Sequence, residues 1–372
     1  MRIAYMLTSL GIGGAERQVV ALAERMEARG HEVALIVLGP RVAHEWQTQI
    51  RVIRLDMTHS PAGVAGGLMR GRRHLHSFQP DILHSHTFPA NMAARMLRAM
   101  SAAPAVVSTI HNIYEGAPYR TLAYRLTDRL CVHTTAVSQA VADRYVETRA
   151  VPRRKCSVMT NGIDVHHFSL SFQSASRARE FMHAEDDFVW LAAGRMVPAK
   201  DFDNLLAAFR QVRAESPNTQ LWIAGELDER RLVRIGGEVV GTERYESEGI
   251  RWLGFCEDMA GTIAPADAFV LSSAWEGLPL VVGEAMAMEK PVVATDVGGV
   301  RELVGDAGVV VPARDSHALS EAMLGMMRIS AEERRAIGKA ARARICRHFD
   351  LNAKAAEWDA LYARLLGGAR WI

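Results

Sequence analysis

The sequence lacks the features that mark several specialised classes of protein. Only four of its 372 residues are cysteine, and none forms a Cys-x-x-Cys pair, which argues against a disulfide framework and a structural zinc site. Its apolar runs are shorter than the roughly 18 residues that a membrane-spanning helix needs. The N-terminal apolar run lacks the cleavage site of a signal peptide. We therefore expect a folded, reduced protein in the cytoplasm, with no helix through a bilayer.

Length and composition indicate two globular domains. Hydrophobic residues make up 49% of the chain and charged residues 23%, and 372 residues exceed one ordinary core. Residues 1–165 carry 20 Lys and Arg against 12 Asp and Glu, whereas the remainder carries 24 against 30. A basic first half suits an anionic partner such as a phospholipid surface or a lipid-linked diphosphate. An uneven solvated surface explains the same asymmetry, and both interpretations stay open.

Short β-rich runs alternate with amphipathic helical segments, and the alternation starts again in the second half. This pattern predicts two parallel sheets with crossover helices, that is, two doubly wound α/β domains. The predicted strands of the first half are Ile3–Leu7, Val33–Leu38, Val52–Leu55, Ile82–His86, Val106–Ile110 and Cys131–Val137. Those of the second half are Val189–Ala193, Leu221–Ala224, Ile250–Leu253, Ala268–Ser272, Pro291–Thr295 and Gly308–Val311.

The domain boundary is predicted in the polar, serine-rich stretch that begins at Ser169. We expect an N-terminal domain over residues 1–168, a second domain over 169–350, and a last helix in 351–372 that packs back on the first domain. In open α/β sheets, ligands bind beyond the carboxyl ends of the strands. Two such domains on a short linker therefore predict a cleft between them, with binding motifs directly after strands.

A glycine-rich loop, Gly11-Ile12-Gly13-Gly14, follows the first strand and precedes a helix. Glycines allow the backbone to approach an anion at a helix N-terminus. The spacing is not Gly-x-Gly-x-x-Gly and no acidic residue ends the second strand, so a dinucleotide site is disfavoured. A simple tight turn remains an equal alternative for this loop.

Two cations in the second half suit a diphosphate. Gly194, Arg195 and Lys200 lie in a loop between a strand and a helix, and a departing nucleoside diphosphate needs positive charge beside it. The following Asp201-Phe202-Asp203 matches an Asp-x-Asp metal-binding pattern. We interpret Asp203 instead as the N-cap of the helix and predict no metal.

The most informative segment runs from Ala268 to Ala287. It reads as a strand, a Glu276-Gly277-Leu278-Pro279 turn, and a helix beginning near Pro279 that carries Glu284 about one and a half turns in. Free backbone N–H groups of such a turn bind phosphate and sugar oxygens, and two carboxylates accept hydrogen bonds from hydroxyl groups. This chemistry fits a hydroxyl-rich, phosphorylated ligand.

Together these motifs resemble those of the retaining, nucleotide-sugar-dependent glycosyltransferases of family 4, which have the GT-B fold of two Rossmann-like domains facing each other across a cleft. The resemblance extends over nearly the whole chain. Besides the segments above, it is carried by Thr109-Ile110-His111-Asn112, Ala136-Val137-Ser138, Asn161-Gly162-Ile163-Asp164 and Asp296-Val297-Gly298-Gly299-Val300-Arg301-Glu302.

The resemblance implies roles for individual residues. Arg195 and Lys200 would bind the donor diphosphate, Glu276 the sugar hydroxyls and Glu284 the ribose hydroxyls. His111 would lie beside the transferred sugar, although a structural histidine at a strand end is an equal alternative. His84 and His86 alternate onto one face of a strand, without a third ligand for zinc. Backbone groups would complete the donor site at Gly13, Gly14, Gly194, Gly277, Leu278, Pro279 and Leu280.

The predicted function is transfer of a hexosyl unit from a nucleotide sugar to a saccharide or lipid-linked acceptor in polysaccharide or lipopolysaccharide synthesis. A UDP-sugar is the preferred donor over a GDP-sugar. No cofactor, metal or nucleic acid is expected. A further expected partner is the cytoplasmic face of an anionic membrane, which the protein would contact peripherally. One departure from the family pattern is Gly225-Glu226-Leu227, where relatives have Gly-x-Gly. A nucleotide-sugar epimerase of the same fold and a non-catalytic binding or scaffold protein remain alternatives.

Overall fold

The structure is a computed structural model that describes residues 1–11, 13–100, 105–169, 179, 184, 186–225 and 247–367. The chain forms two compact units. The first comprises Met1–Gly162 and Leu351–Ile372, and the second comprises Ile163–Asp350. The division thus falls at Gly162, ahead of the serine-rich stretch, and the last helix belongs to the first unit.

The first unit is built on a seven-stranded parallel sheet with strand order β3-β2-β1-β4-β5-β6-β7. Its elements in chain order are β1 (Arg2–Leu7), α1 (Gly14–Ala28), β2 (Glu32–Val37), β3 (Arg51–Arg54), α2 (Pro61–Phe78), β4 (Ile82–His86), α3 (Phe88–Ala99), β5 (Val106–Ile110), α4 (Tyr119–Thr127), β6 (His133–Ala136), α5 (Gln139–Glu147) and β7 (Cys156–Val158).

The second unit has a six-stranded parallel sheet with order β10-β9-β8-β11-β12-β13. Its elements are β8 (Phe188–Ala193), α6 (Phe202–Glu215), β9 (Thr219–Ala224), β10 (Ile250–Gly254), α7 (Met259–Ile263), β11 (Ala268–Leu271), α8 (Leu280–Ala287), β12 (Val292–Thr295), α9 (Val300–Val304), β13 (Val309–Val311), α10 (Ser316–Arg328) and α11 (Ala331–His348). The final helix of the chain is α12 (Leu351–Gly367).

Both sheets are covered by helices, as parallel sheets require. Strands β5, β11 and β12 are buried along their whole length, which explains why they contain only apolar residues and the small residues alanine, serine and threonine. Strand β4 is also fully buried, although it contains His84 and His86. Helix α12 contributes Trp358, Leu361 and Tyr362 to the same core cluster as Ile3 and Tyr5 of β1. The last helix is therefore part of the first unit's core. None of the described helices is long and apolar enough to cross a membrane.

The twelve predicted strands are confirmed, with ends that differ by at most a few residues. Strand β7 was missed, because three partly buried residues show no measurable period. The prediction of Asp203 as an N-cap was wrong. Helix α6 begins at Phe202, and its N-cap position is Asp201, which has a left-handed conformation and makes no side-chain capping hydrogen bond.

Candidate functional site

The carboxyl ends of three neighbouring strands of the second unit bring the predicted motifs together. Strand β11 pairs with β8 on one side and β12 on the other, and all three are parallel. Their following loops therefore leave the same edge of the sheet. These loops contain Gly194 to Lys200, Ser272 to Pro279, and Asp296 to Gly299.

The centre of this edge is an ion pair between the two loops. Lys200 Nζ donates a hydrogen bond to Glu276 Oε1 at 2.6 Å, and Ser273 Oγ donates to the same oxygen at 2.8 Å. The two charged side chains are 19% and 12% exposed. Among the described residues, Oε2 of Glu276 accepts no hydrogen bond. One carboxylate oxygen is thus held by the protein, while the other can accept from a ligand hydroxyl.

Three further hydrogen bonds hold the Glu276 loop against the Lys200 loop and the end of β12. Ser272 Oγ donates to the Lys200 carbonyl oxygen at 2.8 Å, and the Ala274 N–H donates to the Ala199 carbonyl at 2.8 Å. Thr295 Oγ1, at the end of β12, donates to the Ser273 carbonyl at 2.7 Å. Ser272, Ser273 and Thr295 are buried. Buried polar side chains that are fully paired in this way hold the charged groups in position.

Glycines allow two loops to touch through their backbones. The Gly299 N–H donates to the Gly277 carbonyl at 2.7 Å. Gly298 has φ +54°, and a Cβ placed there would lie 2.2 Å from the Glu276 carbonyl oxygen. Gly194, with φ +155°, lies against the Lys200 side chain, where a Cβ would be 2.9 Å from Cε. A side chain at Gly298 or Gly194 would displace one of the two charged residues.

Helix α8 presents its N-terminus after the Glu276 loop. Its N-cap residue is Pro279, and no side chain caps it. The Val282 N–H donates to the Pro279 carbonyl at 3.3 Å, so the N–H groups of Leu280 and Val281 are the ones that an anion can use. Pro279 itself has no N–H and contributes its fixed backbone conformation, not a donor. Glu284 lies in the second turn and is only 3% exposed.

The remaining predicted residues of this unit lie less centrally. Arg195 is exposed and is not part of the Lys200–Glu276 ion pair. Asp203 is exposed in the first turn of α6. Gly225 has φ +156° and its N–H donates to the Gly254 carbonyl at 2.8 Å. Glu226 and Leu227 lie outside the described residues. In the part of the chain that the structure describes, no three His, Cys, Asp or Glu side chains form a metal-binding group.

In the first unit, His111 follows β5 and pairs with His86 of β4. His86 Nδ1 and His111 Nε2 are 2.9 Å apart. Burial lowers the pKa of His111 to about 4 and holds the pKa of His86 well below its ordinary value, with the neighbouring histidines adding to the latter effect. Both rings are therefore neutral at pH 7. Their hydrogen bond joins one donor and one acceptor nitrogen.

His84 is a structural residue. Its Nδ1 lies 2.6 Å from the Tyr362 hydroxyl of α12 and its Nε2 lies 2.7 Å from Thr109 Oγ1. The prediction that His84 and His86 share a face is confirmed, since their ring centroids are 4.0 Å apart. His84 therefore links the last helix of the chain to the sheet.

The glycine loop of the first unit precedes α1 as predicted. Gly13 is the N-cap residue of α1 and has an extended backbone, with φ −154°. Since glycine has no side chain, the N-terminus of α1 has no side-chain cap. A Cβ on Gly13 would lie 2.3 Å from Glu16 Oε2, so glycine makes room for that carboxylate. Ile12 lies outside the described residues.

We expect the folded state to lose stability as the pH falls from about 6.5 to about 4. The pKa values of His84, His86 and His111 are lower in the folded protein than the value of about 6.5 in an unfolded chain. The unfolded state therefore binds more protons in this range, and proton binding favours unfolding. Urea denaturation between pH 7 and 4 measures the effect, which should be smaller in His111→Gln. An NMR titration midpoint of His111 near 6.5 would contradict it.

Two family descriptions match the two halves of this chain. Residues 12–167 match "Glycosyltransferase Family 4", and residues 187–328 match "Glycosyl transferases group 1". The chain is a glycosyltransferase of the family 4 type. The second match contains the whole Lys200–Glu276 edge, and the first contains His111, so the motifs quoted from the sequence lie in the regions that define the family.

Individual relatives of this glycosyltransferase are moderately similar. A putative glycosyltransferase, EpsD, of Bacillus subtilis is 28% identical over 258 residues, which is 66% of each chain. An Escherichia coli α-1,3-galactosyltransferase that uses UDP-galactose and GlcNAc-diphosphoundecaprenol is 23% identical, over 59% of this chain and 58% of the relative. The matched region thus spans less than two thirds of these two relatives. A Mycobacterium tuberculosis glycogen synthase is 26% identical over 100% of this chain and 95% of its own.

Comparison with solved structures identifies the fold class of the glycosyltransferase. The Anabaena protein HepE, crystallised with UDP-glucose, superimposes with a TM-score of 0.80 at 21% identity, over 99% of this chain and 100% of that one. A sucrose-phosphate synthase from Thermosynechococcus elongatus gives 0.83 at 20% identity, over 99% and 100%. At these identities the comparison establishes the GT-B fold, as the sequence predicted.

Sequence reasoning missed the residues that hold the charged side chains. Ser272, Ser273 and Thr295 end buried strands, where a small hydroxyl residue in an otherwise apolar run is the only signal. Gly298 lies in one of the motifs that carry the family resemblance, but its contact with the Glu276 backbone depends on the pairing of neighbouring strands. The Lys200–Glu276 ion pair joins residues 76 positions apart, a separation that local patterns do not bridge.

Proposed function

We propose that this glycosyltransferase transfers a hexosyl unit from a nucleotide sugar, a UDP-sugar in preference to a GDP-sugar, to a hydroxyl of a saccharide or lipid-linked saccharide, with retention of configuration. The acceptor belongs to polysaccharide or lipopolysaccharide synthesis. The observation that carries the proposal is Glu276, whose Oε1 is held by Lys200 and Ser273 while Oε2 faces no partner among the described residues. A sugar hydroxyl is a suitable donor to that oxygen.

The charge on the leaving group is assigned to Lys200, Arg195 and the N-terminus of α8. Transfer breaks the bond between the anomeric carbon and the diphosphate oxygen, so negative charge develops on the diphosphate and a nearby cation lowers the barrier. Gly277 and Leu278 supply backbone N–H groups, and Leu280 begins the uncapped helix. No metal ion or cofactor is required in this scheme.

Glu284 and His111 are given binding roles. The buried carboxylate of Glu284 accepts hydrogen bonds from ribose hydroxyls. His111, neutral at pH 7 because its pKa is about 4, offers a hydrogen bond to the transferred sugar, not a positive charge. For retention, the acceptor hydroxyl attacks from the face that the diphosphate leaves, and a departing phosphate oxygen takes the hydroxyl proton.

Thermal shift with a panel of UDP-, GDP- and ADP-sugars tests the donor first, because a bound ligand stabilises the folded state according to its affinity. We expect a UDP-sugar to raise the melting temperature of the wild type most. The same UDP-sugar should not raise the melting temperature of Glu276→Ala. Incubation with the identified donor and candidate acceptors, followed by NMR of the product anomer, then tests transfer and retention. The same assay with and without a chelator tests the absence of a metal.

The two alternatives give different results in the same experiments. An epimerase would convert the donor into an isomeric sugar without an acceptor. A scaffold protein would release no nucleoside diphosphate with any acceptor, and Glu276→Ala would leave its behaviour unchanged. Either result would exclude transfer as the function.

A further inference from the structure

Helix α4 of the first unit exposes an apolar stripe. Tyr119, Leu122 and Leu126 are 60%, 53% and 66% exposed, and their spacing of three and four residues places them on one side of the helix. The only buried residue of α4 is Tyr124. Three large apolar side chains on one helix therefore contribute little to the core, and such a contiguous exposed patch indicates an interaction surface.

The inner side of α4 is firmly attached to the first unit. The Tyr124 hydroxyl donates to Glu115 Oε2 at 2.8 Å and accepts from Asn91 Nδ2 at 2.9 Å. The guanidinium of Arg95 lies 5.0 Å from the centre of the Tyr124 ring, and Arg95 Nη1 donates to the Tyr124 carbonyl at 3.0 Å. These contacts fix the orientation of the helix, so its apolar stripe faces outward.

An arginine-lined depression of about 350 Å³ adjoins the stripe. Arg125 of α4, Arg149 and Arg153 line it together with the apolar residues Val146, Ala150, Val151 and Pro152. Its one acidic residue, Asp128, is paired with Lys155 Nζ at 3.0 Å. The sequence of α4 itself contains no acidic residue. The depression is therefore strongly basic.

One arginine of the depression occupies an unusual backbone position. Arg149 has φ +56°, in the left-handed region that favours glycine after a helix. A cation near a helix C-terminus is electrostatically favourable, yet glycine would avoid the steric cost there. Arg149→Gly therefore offers a way to remove a charge from the depression without disturbing the fold.

We propose that the stripe of α4 and the arginine-lined depression form one docking surface for an anionic phospholipid bilayer. The proposal rests on the proposed function, whose acceptor is lipid-linked, and identifies where the bilayer binds. Tyr119, Leu122 and Leu126 enter the boundary between headgroups and acyl chains, where a tyrosine and two leucines are stabilised. Arg125, Arg149 and Arg153 bind lipid phosphates beside them, since basic side chains are attracted to anionic headgroups.

Flotation of the full-length protein with vesicles tests this surface. Phosphatidylcholine vesicles that contain phosphatidylglycerol should carry the protein upward, and pure phosphatidylcholine vesicles should not. A triple variant should bind the anionic vesicles on the order of 100-fold more weakly, because each interfacial basic residue raises the partition coefficient roughly fivefold. Its substitutions are Arg125→Gln, Arg149→Gly and Arg153→Gln. Leu122→Ser/Leu126→Ser should also abolish most flotation, and high salt should weaken binding by the wild type.

Matched controls lie elsewhere on the surface. Met69→Ser removes another exposed apolar side chain, 51% exposed, and Arg335→Gln/Lys339→Gln/Arg347→Gln removes three exposed charges from α11. Both should float like the wild type. Equal flotation of wild type and docking-surface variants, or equal binding to neutral vesicles, would overturn the proposal. So would a dimer in light scattering that Leu122→Ser/Leu126→Ser converts to a monomer, since a second copy would then cover the stripe.

The result is separable from the proposed enzymatic function. Thermal shift with the nucleotide sugar depends on the donor-site residues, none of which belongs to the α4 stripe or the arginine-lined depression, and should be unchanged in all docking-surface variants. A wild-type protein that binds donor but no vesicles would refute the docking surface alone. A protein that binds anionic vesicles but no nucleotide sugar would refute the proposed function and leave the surface in place.

Discussion

Lys200→Ala is expected to lower kcat/KM for sugar transfer by about 10² to 10³, the usual effect of removing one preorganised group that stabilises developing charge. Lys200 Nζ lies 2.6 Å from Glu276 Oε1, so the substitution removes a cation for the diphosphate and also releases the carboxylate that accepts the sugar hydroxyl. The rate is measured by release of nucleoside diphosphate, with the donor identified by thermal shift.

A double-mutant cycle separates the two consequences. Glu276→Gln keeps the shape of the side chain but removes its charge, and Lys200→Ala/Glu276→Gln should lose less activity than the two single losses multiplied, because the residues act as a pair. Arg210→Ala is the control: it breaks an exposed ion pair with Glu248, 2.9 Å in length, within the same unit. We expect it to change activity less than about threefold. A Lys200→Ala enzyme with unaltered kcat/KM would contradict the assignment.

Gly298→Ala is expected to impair both stability and activity. Alanine at φ +54° is strained, and its Cβ would lie 2.2 Å from the Glu276 carbonyl oxygen. Backbone strain and overpacking together should lower the free energy of unfolding by roughly 2 to 4 kcal/mol. The Glu276 loop must move to relieve the contact, and a displacement of about 1 Å at a reacting centre costs on the order of 10²-fold in rate. Urea denaturation and kcat/KM measure the two effects.

Gly325→Ala supplies the matched control for the same chemical change. Gly325 lies inside α10, and a Cβ there would meet no atom within 4 Å. Alanine is a better helix former than glycine, so this variant should gain about 0.5 to 1 kcal/mol and keep full activity. If Gly298→Ala were as stable and active as Gly325→Ala, the close contact between the two loops would have no functional importance.

The sequence predicted the sheets well because a strand buried on both faces needs a nearly continuous apolar run, as in Ala268–Leu271. It failed where the signal was short or ambiguous. Strand β7 has three residues, and Asp203 satisfied the composition of an N-cap while Asp201 occupied that position. Helix boundaries depend on backbone geometry at one or two residues, which composition does not fix.

By itself the sequence determined the two α/β units, the family resemblance and the identity of the charged residues that follow β8 and β11, since these depend on periodicity and on residue type. Only the tertiary structure decided that Lys200 and Ser273 donate to the same oxygen of Glu276 and that Gly298 touches the Glu276 backbone. The reason is physical: pairing strands distant in sequence sets which loops meet, and no local preference encodes that neighbourhood. The exposed stripe of α4 likewise became visible only when burial showed which apolar side chains the core leaves out.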